Sequence, residues 1–530
     1  MATIAESPTV KGDPASVSPW INRVDEWCES FGDTLNPILV KETRQALKSR
    51  QFVMTFSVLL FAALTWTIVG SLSLMPQIYT TPSAQRMLIG YYLVLALPML
   101  LVVPLAAYRS LEGEIDDGTL ELLSITTLSP WQIVLGKLAS AMLQMLLYFV
   151  ALFPCVAYAY TLRGVDLPTT MLIIAILVVA GVLLTVVALF FAPLSRSRTG
   201  RITTLLAVMA ILLGAEWGLA ALVISMIVYG NPLPADFMFF LITATVLIAI
   251  SLGHLLLTAT AAQLTPESEN RSTRLRVSLM VLTAVIIGLN AFAIMSLGSD
   301  EAIGVTFTFS VFLAALWTLC GSMMAAESSV MTPRIRRELP SSFLARVMLT
   351  WLTPGPVTGL VFATVNVVLV SAAVFFSFDY LLSRSDVYVP TNALLMLKSF
   401  AIAYASYLVG FLVAVRFVIA IIRINNNPRV ELGIAALIAI AVLTALVPYA
   451  VGLHLNDYRS YSYSTWQLTN WAWTLFEIGE ARDLRFEVGL ILCFAVFAFF
   501  VALLSQPRLA MPRRTATPKR VQEELETAVR

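Results

Sequence analysis

The chain has 530 residues, of which 58% are hydrophobic and only 12% are charged, and its mean hydropathy is +0.84. A soluble globular protein needs about 45–50% apolar residues, so the excess predicts surfaces that face lipid. The formal net charge of +2 gives no reason to expect nucleic acid as a partner.

The N-terminal segment, residues 1–35, is rich in Pro and Ser and is predicted to be a disordered cytoplasmic segment. In residues 36–51, apolar residues such as Ile38 and Leu47 are interleaved with Lys41 and Arg44. This pattern predicts a basic amphipathic helix on the lipid headgroups before the first span. A plain cytoplasmic stub is the alternative.

Continuous apolar runs that are long enough to cross a bilayer, about 20 residues each, recur along the rest of the chain. Their approximate positions are 52–74, 88–108, 139–161, 168–192, 203–229, 237–260, 278–297, 303–325, 357–378, 395–422, 432–453 and 487–505. We therefore predict an all-α, polytopic integral membrane protein with about 12 transmembrane helices in two six-helix halves.

The basic residues are sorted along the chain. With both termini in the cytoplasm, about 27 of the 34 Lys and Arg lie on the cytoplasmic side or at that membrane edge. The predicted exceptions are Arg86, Arg163, Arg384, Lys398, Arg459, Arg482 and Arg485. This bias predicts a multi-pass protein of the plasma (inner) membrane with cytoplasmic N- and C-termini.

The most polar long segment between two apolar runs of the first half is residues 109–141. Gly118 is predicted to make a left-handed turn, and Ser129 and Pro130 are predicted to be the N-cap and first residue of the next helix. A short apolar helix pattern, Leu120–Leu123, lies between them. Five carboxylates, predicted to form one acidic face at the membrane surface, are Glu112, Glu114, Asp116, Asp117 and Glu121.

Two stretches carry a resemblance to a known family. The first is Asn36-Pro37-Ile38-Leu39-Val40-Lys41-Glu42. The second runs from Glu114 through Gly118-Thr119-Leu120-Glu121-Leu122-Leu123 and Leu128-Ser129-Pro130 to Ile133-Val134-Leu135-Gly136-Lys137. The combined pattern resembles ABC-2-type transporter permeases, in the branch that includes the gliding-motility and copper-enzyme-maturation permeases.

The resemblance implies a six-span permease domain over residues 36–265 and a separate ABC ATPase subunit that docks on the loop 109–137. The loop residues that it implies for this coupling are Glu112, Glu114, Asp117, Gly118, Thr119, Leu120, Glu121, Leu123, Ser129 and Pro130. The chain has no GxxxxGK[ST] phosphate loop, so ATP is expected to be hydrolysed by the partner, with no cofactor bound here. The implied function is transport, and export in particular, of an unidentified substrate; no enzyme activity is expected.

The second half, residues 266–506, is predicted to be another six-span membrane domain, followed by a cytoplasmic tail, 507–530. Leu128-Ser129-Pro130 after the second span and Leu352-Thr353-Pro354 after the eighth predict a parallel repeat. Coincidence imposed by span spacing is the alternative. The chain is then either a fused pseudo-dimer or one protomer of a homodimer.

Glu216 lies near the middle of the fifth span, where a charge costs several kcal/mol unless it is neutral, paired or hydrated. Gly214 and Gly218 predict that another helix passes close to it. The carboxyl group is a candidate for the substrate path, and a protonated structural acid bonded between helices is the alternative.

The segment 454–485 is rich in Tyr and Trp, and it predicts a short interfacial or re-entrant helix. An aromatic belt without a further role is the alternative.

Two other functions stay open. The first is a 12-span secondary transporter, which the sparse buried ionisable groups disfavour. The second is a non-transporting integral-membrane assembly factor or an enzyme, although no spaced catalytic set is visible. No metal site is expected, because the four Cys residues are far apart and there are only two His residues.

Overall fold

The computed structural model describes residues 37–76, 81–118, 129–164, 167–194, 198–229, 234–266, 269–327, 333–337, 342, 344, 349–384, 391–424, 429–459, 462–480, 482 and 484–505. Throughout these ranges the chain forms helices and turns, without a strand. Within them, 12 helices are long and apolar enough to cross a membrane. The predicted all-α, polytopic membrane fold is confirmed.

The chain packs as two compact units, Met1–Gly230 and Asn231–Arg530. The first five spans belong to unit 1, and the sixth belongs to unit 2, where it packs against the seventh. The predicted division into six plus six spans at residue 265 stays a prediction.

Unit 1 contains seven α-helices in its described ranges. They are α1 (Pro37–Lys48), α2 (Arg50–Ser73), α3 (Ala84–Ala96), α4 (Val103–Asp116), α5 (Pro130–Thr161), α6 (Leu167–Phe191) and α7 (Arg198–Tyr229). A π-helical turn, Leu97–Val102, joins α3 to α4, so that Ala84–Asp116 is one continuous span.

That second span is the centre of unit 1, since 61% of its apolar stretch is buried against 11% for α2. Its π-helical turn contains Pro98, whose backbone nitrogen carries no hydrogen and so cannot donate a hydrogen bond. The turn packs tightly on α6, because a Cβ at Gly181 would lie 3.1 Å from the Met99 carbonyl oxygen. The π-helical turn and its neighbours thus fix the path of α4 towards the polar loop.

The predicted amphipathic helix is present as α1. Ser49 separates it from α2, and the Ser49 hydroxyl accepts a hydrogen bond from the Phe52 N–H at 3.1 Å, as an N-cap does. Ile38 is buried, and α1 packs along α5. One face of α1 therefore lies on protein, and its contact with lipid headgroups stays a prediction.

Unit 2 contains the remaining α-helices of the described ranges. They are α8 (Ala235–Leu264), α9 (Ser272–Ser296), α10 (Ser299–Ala325), α11 (Pro333–Arg337), α12 (Pro356–Leu382), α13 (Thr391–Ile422), α14 (Leu432–Leu455), α15 (Trp471–Gly479) and α16 (Arg485–Leu504). Its core lies where α10, α12 and α13 meet, around Trp317, Phe362 and Leu412.

The helices α10 and α12 approach each other closely at one end. A Cβ at Gly359 would lie 2.2 Å from the Met324 carbonyl oxygen, so only glycine fits there. This contact brings the end of α10 beside the start of α12.

The aromatic segment 454–485 contains the short helix α15, as predicted. The Trp471 indole donates to the Ala441 carbonyl oxygen at 2.8 Å, and the Tyr407 hydroxyl donates to the Leu468 carbonyl oxygen at 2.5 Å. Ala441 lies about 21 Å from the end of α14 at Leu455, at 1.5 Å per residue. These contacts reach the middle of α13 and α14. They favour the re-entrant form over the interfacial one, and the depth of the segment in a membrane stays a prediction.

The two Pro-containing turns of the predicted repeat differ in structure. In unit 1 the span begins at Pro130, directly after Ser129. In unit 2, Thr353 ends a short 3-10 turn, and the helix begins only at Pro356, after Gly355 with φ +146°. The matching sequences therefore precede the third and the ninth spans. Relative to the shared proline, the helix starts two residues later in unit 2 than in unit 1.

Candidate functional site

The second span extends further than the sequence predicted. Its helix continues to Asp116, which places Glu112 and Glu114 on the last turns of α4 and not in the loop. Gly118 has φ +67° and ends this extension, so the predicted left-handed turn is confirmed. The polar loop thus starts from a rigid helix end.

Lys137 on α5 is the centre of a buried cluster of charges, and its side chain is only 1% exposed. Its Nζ lies 3.1 Å from Glu42 Oε1 on α1 and 3.1 Å from Glu114 Oε2 on α4. A lysine at the start of an apolar span is costly without a counter-charge. The two carboxylates supply it, and they join three separate helices at one point.

A serine and a second lysine complete this cluster. Lys137 Nζ donates to Ser110 Oγ at 2.7 Å, and Ser110 Oγ donates to Glu42 Oε2 at 2.9 Å. On the outer side, Lys41 Nζ lies 3.4 Å from Glu114 Oε1. Two cations and two carboxylates therefore balance in charge. We call these five residues, Lys41, Glu42, Ser110, Glu114 and Lys137, the lysine cluster.

The predicted common acidic face is wrong for most of its described members. Glu114 points into the lysine cluster, and Asp116 forms an ion pair with Arg201 on α7. The Tyr108 hydroxyl donates to Glu112 at 3.3 Å. Asp117 is exposed. The sequence missed the basic partners because they come from other helices.

Four of the loop residues implied by the resemblance lie outside the described residues, namely Thr119, Leu120, Glu121 and Leu123. Their role stays a prediction.

At the far end of the loop, Ser129 is the N-cap and Pro130 the first helical residue, as predicted, and Gln132 completes a capping box. Ser129 Oγ accepts from the Gln132 N–H at 3.3 Å, and Gln132 Oε1 accepts from the Ser129 N–H at 2.9 Å. Pro130 occupies the first helical position, where its missing N–H leaves no donor unpaired. The start of α5 is therefore fixed two turns before Lys137.

Together, these contacts hold both ends of the loop. The lysine cluster joins α4, on which the loop begins, to α5, on which it ends, and to α1. Sequence reasoning named Glu114 but missed the pairing of Glu42 with Lys137. The sequence feature that could have predicted this pairing is Lys137 itself, because a lone lysine within the first turns of an apolar span requires an acid nearby.

Unit 2 has a different charge cluster at the start of α9, the seventh span of the chain. Arg276 on α9 is fully buried and pairs with Glu327, just after α10. Its Nη1 also donates to the carbonyl oxygens of Trp351 and Thr353, each at 2.7 Å. The guanidinium thus holds the turn that precedes α12, and it lies 5.5 Å from the Phe362 ring centroid.

Glu216 lies half-buried on α7, within electrostatic range of Tyr92 on α3. The helix α3 packs on α7, but not at the glycines: among the described residues, nothing beyond their own helix lies within 4 Å of a Cβ placed at Gly214 or Gly218. Trp217 beside it is 81% exposed. This face of α7 is open, and the role of Glu216 in a substrate path stays a prediction.

In the part of the chain that the structure describes, no three His, Cys, Asp or Glu side chains converge as a metal site would need.

Comparison of the chain with protein-family models, with curated proteins and with solved structures finds no match. The resemblance to ABC-2-type permeases therefore depends only on the sequence patterns at residues 36–42 and 114–137.

Proposed function

We propose that this protein is the membrane-spanning permease subunit of an ATP-driven ABC transporter, and that it acts as an exporter. A separate ATPase subunit docks on the loop 109–137 and supplies the energy. The resemblance of residues 36–42 and 114–137 to ABC-2-type permeases supports this proposal, as do the 12 apolar helices.

The observation that carries the proposal is the lysine cluster. A loop that transmits force from a docked ATPase needs ends that cannot move independently of the spans. Glu42, Glu114 and Lys137 join the two helices that flank the loop to a third helix at distances of 3.1 Å. A buried network of charges resists displacement, because separating its members leaves a charge unpaired.

Leu120 and Leu123 are three residues apart, on one face if the loop is helical there. Burying one leucine on a partner contributes about 1.5–3 kcal/mol. Replacing both with Asp is therefore expected to weaken the complex by orders of magnitude, at about 1.4 kcal/mol per tenfold change.

The experiment is a pull-down of the tagged membrane protein in mild detergent, with identification of the bound proteins. An ATPase is expected with the wild type and not with Leu120→Asp/Leu123→Asp. Tyr458→Asp is the control, because Tyr458 is 70% exposed and on the predicted outer side. Its φ of +58° is also tolerated by Asp.

The possible results have separate meanings. If no ATPase is recovered with the wild type, the proposed function is wrong. If the ATPase stays bound to the double variant, the docking site lies elsewhere.

A further inference from the structure

Unit 2 has an excess of buried positive charge where α10 and α13 end. Arg276 and Arg423 lie within range of one carboxylate, Glu327, and Arg416 lies within range of Arg423. Arg276 pairs with Glu327, and Arg423 Nη2 donates to the Ala326 carbonyl oxygen at 2.6 Å. Glu431, the first acid along the chain after Arg423, is exposed and makes no ion pair with a described residue.

Arg416 is the member of this group that lacks a partner. The residue is only 6% exposed, and its Nη1 is buried without a hydrogen-bond partner among the described residues. The Nε atoms of Arg276 and Arg423 are buried and unpaired in the same way. An unpaired buried guanidinium is expensive, so such a group is expected to meet an anion.

The packing places Arg416 between helices and not on a lipid-facing surface. Leu412, one turn earlier on α13, lies against Gly321 of α10 and Ala363 of α12. Arg423 follows Arg416 by two turns on the same face of the chain. Burial lowers the pKa of the Arg423 guanidinium, and Glu327 opposes this shift. Arginine nevertheless keeps its charge at neutral pH.

The depth of Arg416 suits a phosphate group at the membrane edge. Its span, Leu395–Ile422, has 28 residues, which is about 42 Å of helix and exceeds the hydrocarbon core of about 30 Å. Arg416 lies six residues, or about 9 Å, before the end of that span. If the span is centred, its Cα is about 3 Å inside the hydrocarbon edge, within side-chain reach of the headgroups.

We propose that Arg416 and Arg423 bind a phosphate group, supplied by the headgroup of an anionic phospholipid or by free phosphate. Guanidinium binds phosphate with two parallel hydrogen bonds, which would satisfy the unpaired Nη1. Basic pockets between transmembrane helices on the cytoplasmic side are typical sites for anionic headgroups. This proposal does not depend on the protein being an ABC permease.

The test measures the melting temperature of the purified full chain in a neutral detergent during titration with a short-chain phosphatidylglycerol. Phosphatidylcholine with the same acyl chains and inorganic phosphate are titrated in parallel. For the wild type, phosphatidylglycerol is expected to raise the melting temperature more than phosphatidylcholine does. Arg416→Gln is expected to raise the half-saturating phosphatidylglycerol concentration about tenfold or more, since charge-assisted hydrogen bonds are lost.

Arg429→Gln is the matched control. It removes one positive charge beyond the same end of α13, but Arg429 is exposed. This variant is expected to keep the wild-type response. If Arg416→Gln does not fold, Arg416→Lys replaces it, because lysine keeps the charge but lacks the second parallel hydrogen bond. Arg416→Lys must also raise the half-saturating concentration.

The outcomes separate the two sources of phosphate. If phosphatidylglycerol raises the melting temperature and inorganic phosphate does not, the site is assigned to a lipid. If both raise the melting temperature equally, the site is assigned to a free anion. The proposal is overturned if phosphatidylglycerol and phosphatidylcholine act alike while inorganic phosphate has no effect. It is also overturned if the Arg416 and Arg429 variants weaken the response equally, or if Arg416→Lys responds as the wild type does.

Discussion

At the scale of single residues, the two units neutralise a buried cation near the start of a span in different ways. Lys137 meets two carboxylates and a hydroxyl, whereas Arg276 meets one carboxylate and two backbone carbonyl oxygens at 2.7 Å. The ammonium group is a compact point charge, and the planar guanidinium can hold several acceptors at once. The lysine therefore joins side chains from three helices, while the arginine orders a turn of the backbone.

Lys137→Gln is expected to destabilise the protein strongly, by about 3–5 kcal/mol, because two carboxylates then stay close together without their cation. Lys41→Gln is the control, since the Lys41 side chain is 61% exposed and a surface ion pair contributes at most about 1 kcal/mol. Thermal unfolding of both variants in the same detergent measures the difference. Equal losses in the two variants would contradict a central role for Lys137.

At the scale of secondary-structure elements, Gly118 sets where α4 stops and where the loop starts. Its φ of +67° is left-handed, while Gly113, five residues earlier and within α4, has no such φ. No atom lies within 4 Å of a Cβ placed at either position, so a substitution there tests only the backbone.

Gly118→Ala is expected to destabilise the protein by about 1–2 kcal/mol, because alanine is strained at positive φ. Gly113→Ala is expected to stabilise it by about 0.4–1 kcal/mol, since alanine costs less entropy in a helix. Opposite shifts in the melting temperature are the predicted result. Shifts of the same sign in both variants would show that the left-handed turn at Gly118 is absent.

The short helix α15 shows how polar backbone packs against the middle of two apolar helices. Gln467, Asn470 and Thr474 are buried where the segment meets α13 and α14. Asn470 caps α15 by accepting from the Trp473 N–H at 3.1 Å. Irregular backbone is tolerated in the hydrocarbon region only where it is buried in protein. For a re-entrant segment, the side chains of Tyr407 and Trp471 would provide that environment.

At the scale of the whole molecule, the predicted orientation is based on the distribution of Lys and Arg among the 12 spans. A version without cysteines, carrying either Asp117→Cys or Ser462→Cys, tests it, because both positions are exposed. Ser462→Cys is expected to react with an impermeant thiol reagent on intact cells, and Asp117→Cys only after permeabilisation. A cysteine at Ser272, near the predicted inner edge, would not serve as the cytoplasmic position, because Ser272 is buried and would be protected from the reagent in either orientation. Labelling in the reverse order would invert the predicted topology.

The sequence by itself determined the number and approximate limits of the spans, because continuous apolar runs can exist only as helices in lipid. It also determined local features that depend on neighbouring residues alone, such as the N-cap at Ser129 and the left-handed turn at Gly118. The tertiary structure decided which charges meet. Lys137 and Glu42 are 95 residues apart, and only the packing of α1 on α5 brings them together. It also decided that Arg416 is buried between helices, because burial depends on neighbours from other parts of the chain that no local pattern specifies.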